Sequence, residues 1–131
     1  MSQPKTSQRR TRQREAIRRA LDETGRPMSP TELLEAARAE VPGMGIATVY
    51  RNLKAMAEAN SVQTVDLPGE PPRYEIARKG HHHHFHCRRC DRVFEVDNCP
   101  GNMKKLAPRG FRVDDHDITL YGLCASCRKG A

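Results

Sequence analysis

The chain has no tryptophan, only three tyrosines and three phenylalanines, and no long apolar run among its 131 residues. With 37% hydrophobic residues and a mean hydropathy of −0.78, two small cores supported by metal or by a second subunit are favoured over one large core. No stretch approaches the ~18 apolar residues of a membrane span, so no membrane partner is expected. Residues 1–20 are polar and basic and lack the apolar core of a secretory signal, which points to a reduced, cytoplasmic setting. The chain also lacks His-Glu-x-x-His, and His-x-Glu linked to a cysteine pair. Those are the usual marks of a zinc hydrolase or deaminase, so an enzyme with a small organic substrate is not expected. Internal repeats are absent.

Cysteine is present, and in pairs: Cys87-x-x-Cys90 and Cys124-x-x-Cys127, with His81–His84 and His86 just ahead of the first pair. Each pair projects two thiolates from one tight turn, and two such turns can close a tetrahedral shell around Zn²⁺. Thirty-three residues separate Cys90 from Cys124, so this site would tie the ends of a small domain together. The imidazoles exceed what that shell needs. They imply a second, more open metal site, and hence a protein that senses metal. A Cys-x-x-Cys can instead be a redox pair or half of a disulfide framework; a reduced compartment favours zinc. A redox module and a passive metal store are the alternative classes. Cys99 is the fifth cysteine, readable as a free or buried thiol, an auxiliary ligand or a redox-reactive group.

Charge adds a partner. The net charge is +7 and the isoelectric point about 9.5, which suits a polyanion. Residues 1–19 carry seven basic side chains (Lys5, Arg9, Arg10, Arg12, Arg14, Arg18, Arg19) against one acid, Glu15. Residues 1–10 read as a disordered basic arm. Thr11 can cap a helix over 11–22, with Ile17 and Leu21 at i, i+4, and Gly25-Arg26-Pro27 breaks it. Ser29-x-x-Glu32 is a capping box with Pro30 at the first helical position, starting a helix over 30–40. A third helix over 46–60 places Ile46, Val49, Leu53 and Met56 at core spacing. That leaves Thr48, Tyr50, Arg51 and Lys54 on other faces. Alternating stretches at 62–65 and 73–76 flank a Pro/Gly turn and predict a β-hairpin. Three helices and a hairpin make a winged helix-turn-helix, whose third helix enters the DNA major groove.

Residues 11–77 thus read as a DNA-binding domain, 78–80 as a hinge and 81–131 as a small α/β metal-binding and dimerisation domain, giving an α+β chain. Strands are expected at 81–87, 93–96, 111–113 and 118–121, with a short helix over 100–107. Alternation along the first strand sends His82, His84 and His86 to one face, and His81, His83 and Cys87 to the other.

Gly45-Ile-Ala-Thr-Val-Tyr-Arg-Asn-Leu53, His82-x-His84-x-x-Cys87-x-x-Cys90, His116 and Leu120-Tyr-Gly-x-Cys124-x-x-Cys127 together resemble the ferric-uptake-regulator family of metal-dependent repressors. The resemblance spans residues 9–128. It implies a homodimer whose metal-bound form closes two winged helices onto an AT-rich inverted-repeat operator in double-stranded DNA. It also implies that Cys87, Cys90, Cys124 and Cys127 hold structural zinc, and that Glu75, His82, His84 and Glu95 hold a regulatory ion between the domains. Tyr50 and Arg51 match recognition-helix contacts, and Arg9 a minor-groove arm; Thr11, Arg14 and Thr48 complete the expected DNA face. His81, His83 and His116 match a second regulatory site of some relatives, but no glutamate between Asn98 and Gly110 completes it. Pro27 stands where many members have a histidine, and Ala77 near where zinc-sensing members often have a cysteine. The regulatory ion is Zn²⁺, Fe²⁺ or Mn²⁺; histidine excess, with Cys99 as an extra thiolate, favours zinc.

Overall fold

A computed structural model describes residues 5–78 and 80–130, which divide into two compact units, one up to Arg78 and one after it. The first unit runs α1 (Lys5–Thr24), α2 (Pro30–Ala37), α3 (Ile46–Glu58), β1 (Val62–Val65) and β2 (Arg73–Ile76). Ala16, Ile17, Ala20 and Leu21 of α1 bury against Leu33 and Ala37 of α2 and Val49, Leu53 and Met56 of α3. Gly25 ends α1 in the left-handed region (φ 60), its N–H reaching the Leu21 carbonyl at 3.0 Å. Ser29 caps α2: its Oγ accepts from Glu32 N at 3.1 Å, and the Glu32 carboxylate accepts from Ser29 N at 3.2 Å. Glu32 also receives Arg26 (2.9 Å) and Arg73 of β2 (3.5 Å), pinning the start of α2 to the hairpin.

The helix limits differ from expectation in four places, one being that α1 runs on to Thr24 rather than ending at Asp22. Residues 5–10 are not a disordered arm: α1 is continuous from Lys5, and Thr11 lies inside it rather than capping it. Lys, Arg and Gln are good helix formers, and no Pro or Gly interrupts residues 5–24, so the apolar-packed half propagates backwards. Residues 1–4 of the expected arm lie outside the described residues. α2 stops at Ala37 because the chain tightens into i+3 bonds at Ala39 and Glu40 ahead of Pro42. α3 stops at Glu58, with Asn60 turning left-handed at φ 59.

In the second unit β3 (His83–Cys87) is central, antiparallel to β4 (Val93–Val96) and parallel to β5 (Thr119–Gly122), in the order β4-β3-β5. Phe85 pairs with Phe94 on one side and Leu120 on the other. The helix expected over 100–107 is a single 3₁₀ turn, Lys104–Leu106. Pro100 and Gly101 precede it and Pro108 follows, leaving too few residues to nucleate an α-helix. No strand forms at 111–113: the Phe111 N–H turns back to the Pro108 carbonyl at 3.0 Å, with no ladder partner beside it. A short α4 (Ala125–Lys129), not expected, begins directly after Cys124.

Candidate metal centres and nucleic-acid face

β3 delivers Cys87 at its last residue, where Arg88 N–H reaches the Gly122 carbonyl (2.8 Å) and locks the strand end to β5. The turn that follows places Cys90 and passes through Asp91 in the left-handed region (φ 65). β5 then leads to Cys124, the N-cap of α4, and Cys127 lies in the first turn of that helix. One sulfur from each cysteine comes within 4.8 Å of the other three. Cys90 Sγ and Cys124 Sγ are 3.8 Å apart. Tetrahedral Zn–S bonds of about 2.3 Å require an S···S edge of about 3.8 Å, so the donor set fits Zn²⁺. The Cys87 thiol is lowered to about 6, chiefly by the Cys124 and Cys90 backbone N–H groups; Cys124 N lies 3.3 Å from its sulfur. Burial, then the neighbouring thiols, push Cys127 upward. Before metal arrives, one sulfur of the set is therefore a thiolate at neutral pH while another keeps its proton.

The histidines separate by face. His82 and His84 stack edge-on with ring centroids 5.0 Å apart, and Glu95 of β4 lies directly opposite His84 in register. Glu75 belongs to the first unit, on β2, where its carboxylate accepts from Gln63 Nε2 at 2.8 Å. His86 is engaged by Asp91 at 2.6 Å.

The other face collects His81, His83, His116 and also Cys99, one ligand atom of each within 4.8 Å of the rest. His81 Nε2 is 2.9 Å from His116 Nε2, and Cys99 Sγ is 3.2 Å from His116 Nε2 and 3.5 Å from His83 Nε2. His83 is buried while Cys99 is exposed. Burial first, then the His81 and His116 charges, lower the His83 pKa and hold the ring neutral, the form that ligates metal. Sequence reasoning looked for a glutamate here and left Cys99 unplaced; the only signal was an unpaired cysteine beside a histidine surplus.

On the first unit, α1 and α3 enclose a cleft of about 440 Å³ lined by Arg9, Arg10, Gln13, Arg14, Thr48, Arg51, Asn52 and Ala55. Four guanidinium groups line it, with no acid among those described residues. Arg51 donates to Thr48 Oγ1 at 3.0 Å, and Asn52 Nδ2 to the Thr48 carbonyl at 2.9 Å. Tyr50 is 53% exposed on α3 outside the cleft, and Thr11 is likewise outside the lining. Arg10 and Gln13 enter the cleft without having been assigned to the DNA face, Arg10 because the helical start of α1 was not foreseen.

A winged helix-turn-helix followed by a thiolate- and histidine-rich α/β unit defines a metal-responsive DNA-binding regulator. The family model described as "Ferric uptake regulator family" matches residues 5–121, and the chain belongs to that family. It is 34% identical over 123 residues to the ferric uptake regulation protein of Campylobacter jejuni subsp. jejuni, covering 89% of this chain and 78% of that protein. Among solved structures it is similar to a zinc-bound manganese uptake regulator: TM-score 0.72, 27% identity, 95% of this chain and 91% of that one. It is also similar to FurB of M. tuberculosis, a zinc uptake regulator, with TM-score 0.51 and 33% identity over 92% of this chain and 95% of that one. The family comprises metal-responsive transcription regulators rather than enzymes, and relatives named for iron, manganese and zinc all match. Among the described residues no helix is long and apolar enough to cross a membrane.

Proposed function

We propose that this protein is a cytoplasmic, homodimeric repressor whose grip on an AT-rich inverted-repeat operator depends on a regulatory divalent ion, most consistently zinc. The observation that carries this is the division of the second unit's ligands into a saturated four-cysteine cluster and histidines left over on both faces of β3. Cys87, Cys90, Cys124 and Cys127 hold a structural Zn²⁺ that stays in place. His82, His84 and Glu95, with Glu75 from the other unit, hold the sensed ion, while His81, His83 and His116 form the second regulatory group. An ion binding one arrangement of the two units more tightly selects that arrangement, and by linkage DNA tightens the ion. Arg9, Arg14, Thr48 and Arg51, with exposed Tyr50, contact the operator. The four-arginine cleft supports this, since guanidinium groups with no nearby acid suit phosphate and base edges. Exposed Leu106 (81%), Phe111 (70%), Leu120 and Leu123 in the second unit support a face covered by a second copy.

The test uses a duplex selected from a random pool by the zinc-loaded protein. His82→Ala with His84→Ala is expected to abolish metal-dependent binding of that duplex while leaving one chelator-resistant zinc per chain and the dimer intact. Full affinity in the double variant would sink the proposal. Titrating Zn²⁺, Fe²⁺ and Mn²⁺ separately decides among zinc and its two alternatives. Metal uptake with no DNA response to any of them would mark a passive store. No retained zinc, with oxidised cysteine pairs, would mark a redox module.

A further inference from the structure

The second histidine group has three nitrogen donors and lacks the carboxylate expected to complete it. The Cys99 sulfur lies beside those nitrogens. Cys99 sits three residues beyond the end of β4, where the chain turns at Gly101 (φ 92), whose N–H points at the Cys99 sulfur from 3.4 Å. That turn leaves the thiol beside His83 and His116. We infer that Cys99 is the fourth protein ligand of a closed His81–His83–Cys99–His116 site, built for a tetrahedral, thiophilic ion of the Zn²⁺ class.

Geometry and donor chemistry support it separately. With Zn–N near 2.1 Å and Zn–S near 2.3 Å, a tetrahedron needs about 3.6 Å between sulfur and nitrogen and about 3.4 Å between nitrogens. The Cys99–His83 separation of 3.5 Å already meets this. The Cys99–His116 (3.2 Å) and His81–His116 (2.9 Å) separations open by about half an ångström at most, a shift available to exposed Cys99 and His81. Three imidazoles and a thiolate form a borderline-soft set that fills four positions and leaves none for water. Mg²⁺ and Mn²⁺ prefer six oxygen-rich positions and are disfavoured. A carboxylate at the same place would have left the set harder and less selective.

His83 shows what loading requires. Its Nδ1 accepts from Ile118 N at 3.1 Å, so the ring proton resides on Nε2 and points at Cys99. Ligation at Nε2 requires that proton to leave; moved to Nδ1 it would break the hydrogen bond from Ile118 N–H and face the Asp117 carboxylate, at 4.0 Å, instead.

This inference rests on the second regulatory group being a metal site, and it is independent of DNA binding. The experiment separates the two. His82→Ala with His84→Ala silences the opposite face, the four-cysteine cluster is kept zinc-filled and its zinc is measured before and after, and Co²⁺ is titrated anaerobically. One Co²⁺ per chain is expected, with intense tetrahedral d–d bands and a near-ultraviolet sulfur-to-cobalt charge-transfer band. Adding Cys99→Ser should abolish the charge-transfer band and weaken Co²⁺ by at least about tenfold, the loss that even an outer-shell partner carries. Cys99→Asp should restore affinity for Co²⁺ without the band and admit Mn²⁺. Cobalt bound with histidine-only spectra, unchanged by Cys99→Ser, would overturn the thiolate while keeping the histidine site. No cobalt uptake, with the zinc retained, would overturn the histidine site and the inference together.

Discussion

Thr48 and Arg51 lie one turn apart on α3, and the 3.0 Å bond between them holds the guanidinium along the helix, over the cleft. A guanidinium held this way has lost part of its rotamer freedom before it meets a base, so less is lost on binding. Arg51→Ala should weaken operator binding by about 1–3 kcal/mol, the discrimination of one good base contact, with metal content unchanged. Arg51→Lys should recover little of it, because a point charge cannot replace a planar fork. Fluorescence anisotropy of a labelled duplex measures both; an unchanged affinity would remove α3 from the groove. Ser29 is a residue of the opposite kind, structural and remote from ligand. Its capping box satisfies two otherwise orphaned backbone donors. Ser29→Ala should cost about 1 kcal/mol, seen as a lower urea midpoint with an unchanged slope, while metal and DNA affinity of the folded protein stay as they were.

At the scale of elements, legibility followed how much of the residue pattern was local. Both hairpin strands could be read to the residue, since an apolar-ended stretch on each side of a Pro/Gly turn marks them, while their register came from the structure. The opposite groupings of His82/His84 and His81/His83 were equally legible although β3 begins only at His83, not at residue 81, because the chain stays extended enough ahead of it to keep the alternation. Cys99 was not legible: its place depends on an irregular return after β4, which no periodicity encodes. The start of α1 was missed because arginines and glutamines carry helix propensity without an apolar stripe to announce it. That miss has a functional consequence, since the helix carries Arg9 and Arg10 along one cleft with Arg14 instead of on a loose arm. Rigid charges at phosphates should release counterions one by one. Replacing Arg9 and Arg10 with Gln is expected to reduce the slope of log K against log salt by about 1.8, at about 0.9 per phosphate contact. It should do so alike on selected and scrambled duplexes. A slope unchanged by the double replacement would place these arginines away from the backbone.

The whole molecule divides its stability between two different sources. The first unit has a contiguous apolar core contributed by three helices and the hairpin. In the second, the buried apolar residues among those described are Cys87 and Val93, beside buried His83, His84 and His86. A unit with so little apolar interior is expected to draw folding free energy from a bound metal. On the proposed reading the four-cysteine cluster would supply it, Cys90 and Cys124 being tied together across thirty-three intervening residues. Its zinc should be sensitive to acid in a defined direction. Zinc needs four thiolates; burial holds the Cys127 proton on strongly, whereas the Cys124 and Cys90 backbone N–H groups hold the Cys87 thiol down to about 6. As pH falls, each ion bound must therefore displace protons, and below about 6 Cys87 adds one more, so affinity falls most steeply there. Competition with a chromophoric chelator from about pH 8 to about pH 5 should show zinc affinity decreasing throughout, with a steeper slope at the acid end. Zinc loss should dissociate the dimer and melt the second unit while most of the far-ultraviolet helical signal, which belongs to α1, α2 and α3, persists. A flat affinity profile would exclude thiolate ligation, and loss of the helical signal in step with zinc would show that the first unit does not stand on its own core.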